Sequence, residues 1–219
     1  MAQQKIEHHP FPAFLPPKMR CLILGSFPGK EQTKGGLNEN AWFYGAPLNQ
    51  LWRILEKVYG RELKTKEAKQ KLFGEACIGI TDIFKSVTRK AGTNLDENLE
   101  IIEYNKDEIE VILKDFHPQV LCTSRFVEKE FKKMFASYVK VDVLPSPSPR
   151  YFRITIKQKA EIYKKKLPKN NYFFSWFESN TPSIIFSSVC RRPLTLSIFT
   201  TLEIAAFCSV ANQTNTIAI

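Results

Sequence analysis

Residues 21–52 read CLILGSFPGKEQTKGGLNENAWFYGAPLNQLW. Cys21 to Leu24 is a short apolar run that stops at Gly25, and a loop of Gly, Ser and Pro follows. A buried parallel strand delivers its tight turn in this way to the edge of a sheet where ligands bind. Ser26, Phe27 and Pro28 then stand where backbone N–H groups and one aromatic face can meet a ligand. The aromatic cluster Trp42, Phe43, Tyr44 comes next, and Ala46-Pro47-Leu48-Asn49 leads into an apolar-periodic helix through Trp52 and Leu55. An aromatic patch beside Asn49 at a helix entrance suits a flat, hydrogen-bonding ligand. The same residues suit a structural reading equally well, with Phe43 and Trp52 in the core and Asn49 as a helix cap.

The chain has 219 residues and an apolar fraction of 43%, enough for one domain with an ordinary core. Its formal net charge is +10, from 32 Lys+Arg against 22 Asp+Glu. Residues 170–219 carry only Arg191, Arg192, Glu178 and Glu203, so the whole excess belongs to residues 1–169. A compact basic domain points to a polyanionic partner such as nucleic acid, against the plainer reading of a basic solvated surface. The five cysteines form no C-x-x-C pair and have no zinc-like spacing, so no metal site is expected. Cys21, Cys77 and Cys122 read as small core residues in a reducing compartment. The N-terminus has no charged-then-apolar signal, and a cytoplasmic protein is expected.

Along the chain, residues 6–17 read as an extended arm that packs Phe11, Phe14 and Leu15 on the body. His8 and His9 are adjacent with no third ligand nearby, and read as exposed or packing histidines. Helices are expected over 49–59 and 61–73, the second with a solvated or phosphate-facing row of Lys64, Lys66, Lys69 and Lys71. Cys77 to Thr81 is a second strand ending at Asp82. Thr93 to Asp96 reads as a loop and cap before a helix through Leu99 and Ile102, followed by another over 105–115. Val120 to Cys122 is a third strand, followed by Thr123-Ser124 and a helix, EKEFKKMF. Val139 to Leu144 is a fourth strand running into PSPSPRY, and a basic helix over 157–166 closes the body. This alternation predicts an α/β fold, a three-layer α/β/α sandwich with a central, mainly parallel four-stranded sheet. The loops bearing Ser26 to Pro28, Asp82, Thr123-Ser124 and Ser146 to Tyr151 then share one edge and one cleft.

GSFPG after the first strand, FYGAPLNQLW, ITDIF after the second and LPSPSPRY after the last together resemble the uracil-DNA glycosylase superfamily over residues 6–168. The mismatch-specific and hypoxanthine-DNA glycosylase branches are the most similar. The resemblance implies a monofunctional enzyme of base-excision repair. It flips a damaged or deaminated base (uracil, hypoxanthine or a mismatched base) and hydrolyses the N-glycosidic bond, without a cofactor. Tyr44 then matches the aromatic that stacks on the base, with Ser26, Phe27 and Ser124 completing the base-binding set. The better-known branches hold water with an Asn or Asp in the first motif, where this chain has Phe27. Asn49 matches the polar residue of the hypoxanthine-type branch and is the main catalytic candidate. Asp82 is the second, as water activator or reader of the base edge. The His of the last motif is absent, with Ser146 after Pro145 in its region. Ser146, Pro147, Ser148, Arg150 and Tyr151 form the implied DNA-binding loop, with Arg150 or Tyr151 filling the gap in the duplex.

Residues 1–169 are therefore expected to be a monomeric glycosylase-like domain whose partner is damaged DNA. Residues 170–219 are expected to be a poorly structured apolar extension, rich in Ser and Thr, rather than a membrane helix. Two other classes fit the residues less fully. One is a non-catalytic damaged-DNA-binding protein with the same pocket. The other is an enzyme acting on free nucleosides or nucleotides.

Overall fold

The computed structural model describes residues 5–35, 39–90 and 95–169. The apolar extension at 170–219 lies outside the described residues. Strand β1 is Glu7–His8, β2 is Cys21–Gly25, β3 is Ile78–Asp82 and β4 is Phe84–Arg89. Strand β5 is Leu99–Tyr104, β6 is Gln119–Cys122 and β7 is Val141–Val143. Helix α1 is Lys30–Thr33, α2 is Leu51–Tyr59 and α3 is Lys66–Glu75. Helix α4 is Lys106–Phe116, α5 is Arg125–Met134 and α6 is Ile156–Lys166.

Four strands form an all-parallel sheet in the order β3-β2-β6-β7. Strand β2 is buried along its whole length, and its side chains alternate between two cores. Cys21 and Ile23 join Ile78, Ile80 and Leu121 beneath α2, α3 and α6, against Trp52, Phe73 and Tyr163. Leu22 and Leu24 join Val120 and Cys122 on the other face, against Ile109 and Ile112 of α4 and Phe131 of α5. The expected α/β/α sandwich follows from that alternation. Phe11 and Phe14 of the arm pack on the first core and Leu15 on the second, so the arm seals both.

The stretch from Asp82 to Asn105 departs from expectation. The helix expected through Leu99 and Ile102 is strand β5, and DIFKSVTRK supplies strand β4. These two strands and β1 build a separate antiparallel sheet in the order β1-β4-β5. The physical reason is the period of burial. Leu99 and Ile101 pack on the second core, two residues apart, while Ile102 is 55% exposed. A three-residue spacing of Leu99 and Ile102 mimics a helix, but only the two-residue spacing is buried. The insertion has a consequence at the edge of the main sheet. Ile83 alone separates β3 from β4, and its N–H bonds to the Gly25 carbonyl at 2.9 Å, so the chain turns tightly at Asp82.

The register sets the strand ends level. Gly25 pairs with Asp82, and Leu24 with both Thr81 and Cys122. Thr65 caps α3, Ser124 caps α5 and Thr155 caps α6 in a capping box with Gln158. Helix α2 stops at Gly60, whose φ of 66° is the left-handed value glycine takes at no steric cost.

The strand assignment of β5 is testable by substitution. Ile101→Ala is expected to cost about 1–2 kcal/mol in urea denaturation, and Ile102→Ala under about 0.5 kcal/mol. A larger effect at Ile102 would favour the helical alternative.

Candidate functional site

The loops at the carboxyl edge of the parallel sheet enclose a cleft of about 1170 Å³. It is lined by all the expected site residues: Ser26, Phe27, Tyr44, Asn49, Asp82, Ser124 and the loop from Ser146 to Tyr151.

Asn49 precedes α2, and its Oδ1 accepts the Leu51 N–H at 2.9 Å. That bond is an Asx turn at the mouth of α2 and not the helix cap considered for it, since Gln50 is the N-cap residue and no side chain caps the helix there. It also fixes the side chain, so what Asn49 can offer a ligand is its Nδ2 amide, a donor. Phe43 and Trp52 are core, as the alternative reading held. Trp52 stacks on Trp42 with centroids 5.4 Å apart, and its Nε1–H donates to the Phe43 carbonyl at 2.9 Å.

Tyr44 follows this core at a φ of 56°, a left-handed backbone that is strained for a bulky residue. The strain turns its hydroxyl inward to donate to Thr123 Oγ1 at 2.9 Å, as the Thr123 hydroxyl donates to the Leu24 carbonyl at 3.3 Å. Burial first, and then the neighbouring Asp82, hold the Tyr44 hydroxyl well above its ordinary pKa. A Cβ on Gly25 would lie 2.1 Å from Asp82 Oδ1 and 2.3 Å from the Tyr44 hydroxyl oxygen. Only glycine fits at that strand end.

Asp82 ends β3 with its side chain 6% exposed. Its Oδ2 accepts from His9 Nε2 at 2.9 Å. His9 Nδ1 lies 2.8 Å from the Phe11 carbonyl oxygen and 3.2 Å from the Phe11 amide nitrogen, so the ring is held at both nitrogens in either protonation state. Of the exposed or packing roles expected of the two histidines, His8 takes the first and His9 the second. The arm carries it into the site, where its side chain is 9% exposed and its ring lies 5.8 Å from Phe27 and 5.5 Å from Phe43.

Asp96 also lines the cleft, and its sequence reading as a loop cap missed it. Ser26 Oγ donates to its Oδ1 at 2.7 Å. Burial, only partly offset by that bond, raises its carboxyl above the usual range. Ser26 therefore holds a carboxylate. Ser124 accepts the Val127 N–H at 3.2 Å and caps α5, at the cleft wall. Phe27 packs under the Arg89 guanidinium at 5.6 Å. Arg89 is buried, bonded to both carboxylate oxygens of Glu7 at 3.0 Å and to the Pro28 carbonyl at 2.6 Å, and so fixes the loop after β2. Lys69, expected on a solvated or phosphate-facing row, is instead buried with its ammonium 5.0 Å from the Trp52 ring centroid.

The loop after β7 is anchored from beneath. The fully buried Lys159 of α6 donates to Gln50 Oε1 at 2.7 Å and to the Ser148 carbonyl at 3.4 Å. Its ammonium also sits 5.2 Å from the Tyr151 ring. Tyr163 donates to the Pro145 carbonyl at 2.9 Å, and Gln50 N–H to the Pro147 carbonyl at 2.9 Å. Ser146 Oγ and Ser148 Oγ accept the N–H groups of Ser148 and Arg150 at 3.2 and 3.3 Å, which winds the loop into successive turns. Leu48 and Phe152 stand 75% and 86% exposed beside these turns and the α2 entrance. Among the described residues there is no cluster of metal-ligating side chains, and no helix is long and apolar enough to cross a membrane.

The buried hydroxyls make a pH prediction. Burial holds Tyr44 and Tyr163 above the ordinary tyrosine value of about 10. A raised folded value stabilises the fold below pH about 10, and that contribution is lost as pH rises toward the folded value. Titration at 295 nm is expected to leave these two tyrosines un-ionised until alkaline unfolding. Ionisation of all seven tyrosines near pH 10 in folded protein would contradict their burial.

The chain is similar to proteins already known. The chain is 32% identical over 114 residues to a hypoxanthine DNA glycosylase of Methanosarcina barkeri, covering 50% of this chain and 65% of that one. It is 34% identical over 82 residues to a hypoxanthine DNA glycosylase of Methanosarcina acetivorans, covering 36% and 49%. The chain thus spans 65% and 49% of the length of these two relatives. A solution NMR structure from Methanosarcina acetivorans, provisionally assigned as a uracil DNA glycosylase, superposes with a TM-score of 0.57 at 25% identity. That superposition covers 74% of this chain and 98% of the other. The family model of the Uracil DNA glycosylase superfamily matches residues 12–169, and the chain belongs to that superfamily.

Proposed function

We propose that the protein is a monofunctional DNA glycosylase that turns a deaminated base into the cleft and hydrolyses its N-glycosidic bond. The observation that carries this reading is the gathering, at one sheet edge, of an amide donor, two carboxylates and an aromatic wall in a chain of this superfamily. Extruding a nucleotide costs a few kcal/mol of stacking and pairing, and aromatic stacking in the pocket returns about 1–3 kcal/mol. Tyr44 and Phe27 are the rings available for it. As the bond breaks, the sugar becomes oxocarbenium-like and the base gathers negative charge. The Asn49 amide is the donor positioned to stabilise that anion or orient the water, and being neutral it does not act as a strong base.

The water needs an acceptor within reach of solvent. Asp82 is nearly sealed and tied to His9, whereas Asp96 is partly exposed in the cleft and held by Ser26. Asp96 is therefore our assignment for the water-activating group. The turns at Ser146, Pro147 and Ser148 form the surface for the phosphate backbone. Exposure makes Phe152 and Leu48 better wedges for the vacated gap than Tyr151, whose ring sits over Lys159; Arg150 is exposed as expected of such a residue. The net charge of +10 predicts DNA affinity that falls steeply with salt.

The test is base release from labelled duplexes carrying hypoxanthine, uracil or xanthine. The wild type is expected to free one of these bases and leave an intact abasic strand, with no adduct trapped by borohydride. Asn49→Ala should slow release by about 100-fold or more. Release by that variant at the wild-type rate would remove Asn49 from the chemistry. Activity should fall as pH drops through the raised Asp96 value, above the ordinary carboxylate range, and Asp96→Asn should abolish that limb with most of the rate. Tight binding with no release from any duplex would instead make the protein a reader of damaged DNA.

A further inference from the structure

Lys159 works against the stability of the fold it sits in. Its side chain is fully buried, and its three partners are neutral: Gln50 Oε1, the Ser148 carbonyl and the Tyr151 ring. Among the described residues no carboxylate pairs with it. Gln50 opens α2, so the ammonium also stands at the positive end of a helix dipole. A buried cation without a counter-charge is unfavourable, and burial holds this one below the ordinary lysine value. An apolar side chain of the same length would fill the space without that penalty. Residues that break local rules in this way mark places where function sets the choice.

The partners of Lys159 join two parts of the site. Ser148 and Tyr151 belong to the loop after β7, and Gln50 directly follows Asn49. Gln50 gives α2 no side-chain cap and turns its oxygen to Lys159 instead, while its N–H reaches the Pro147 carbonyl. The entrance of α2 is thus placed from outside the helix. Asn49 is fastened to that entrance on both sides. Its N–H donates to the Ala46 carbonyl at 2.9 Å, and its Oδ1 accepts from Leu51. Movement of Gln50 therefore swings the Asn49 amide. We propose that Lys159 is a positioning residue for base release, which holds the Asn49 amide in register with the loop that meets the phosphate backbone. The proposal rests on the glycosylase reading above and goes beyond it, because Lys159 acts only through Gln50 and Asn49. The loop keeps its other anchors, Tyr163 at Pro145 and Gln50 N–H at Pro147, so Lys159 bears on the rate more than on binding. A reacting group displaced by about 1 Å can lose about 100-fold in rate.

The experiment measures single-turnover base release, equilibrium binding to the same duplex and the thermal midpoint. The full-length wild type, Lys159→Met, Gln50→Ala, Asn49→Ala and the two double variants with Asn49→Ala are compared on a duplex carrying the base that the wild type releases. Lys159→Met is expected to fold with an unchanged or raised midpoint, yet to release base about tenfold more slowly, with affinity held within about threefold. Gln50→Ala should slow release in the same way, and it keeps the proposal testable should Lys159→Met not fold. In the Asn49→Ala background neither substitution should slow release further, because the amide they position is gone. Slowing that adds to that of Asn49→Ala overturns the proposal, as does a wild-type rate in a folded Lys159→Met or Gln50→Ala. A lowered midpoint with binding and release weakened alike makes Lys159 a structural residue and overturns it as well. If the wild type releases nothing from any duplex, hydrogen exchange at the Leu51 N–H of the DNA-free protein decides. Exchange about tenfold faster there in Lys159→Met, with the Ile112 N–H unchanged, leaves the positioning role standing while the glycosylase assignment falls. Unchanged exchange at Leu51 overturns it.

Discussion

The site depends on one packing constraint, the close approach of three chain segments over the end of β2. Gly25 lies between Asp82 of the neighbouring strand and the Tyr44 hydroxyl, at distances that exclude any side chain. The approach is possible because β2 is buried on both faces and its two flanking strands run parallel with level ends. A parallel sheet places every strand's outgoing loop on the same edge, so polar residues distant in sequence converge without a dedicated scaffold. The left-handed backbone of Tyr44 is the local expense of bringing an aromatic hydroxyl down onto that edge.

The arm and the antiparallel sheet extend the same logic. Strand β1 pairs with β4, and β4 leaves β3 after a single residue. Pairing of Glu7 and His8 with β4 therefore delivers His9 to the Asp82 carboxylate at the end of β3. The buried Arg89 at the far end of β4 ties Glu7 to the loop after β2. A short edge strand thus sets the geometry of two loops. Buried ion pairs of this kind specify arrangement more than they add net stability, because desolvation offsets much of their attraction.

The central sheet was legible because three of its strands are short apolar runs and the fourth, within VKVDVL, alternates, each ended by Gly, Asp, Thr or Pro. The site loops were legible because they follow those runs directly. Three features were not. The helical spacing of Leu99 and Ile102 concealed the two-residue period of β5. His9 and Asp82 are separated by 73 residues, and only the pairing of β1 with β4 relates them. Asp96 looks like any loop cap until Ser26 is seen to hold it in the cleft. Lys69 misled in the opposite direction, because its row of lysines reads as solvated or phosphate-facing. It and Lys159 of the basic helix α6 each lay the stem in the core and give the ammonium to a ring or an oxygen. Residue type and spacing say little about which cation of a basic run is buried, since that choice is made by packing between distant helices.

The buried ammonium of Lys159 also bears on how the Pro-rich loop meets a partner. Helix α6 fastens the loop through Tyr163 at Pro145 and through Lys159 at Ser148, and the loop is in turn bonded to the residue that opens α2. Its chain entropy is therefore surrendered when the domain folds and is not lost again on association. Contact with a rigid loop leaves a heat-capacity change set by the apolar surface it covers, without the larger change of a segment that folds as it binds. The buried cation thus sets the thermodynamic character of an encounter in which its own charge takes no part.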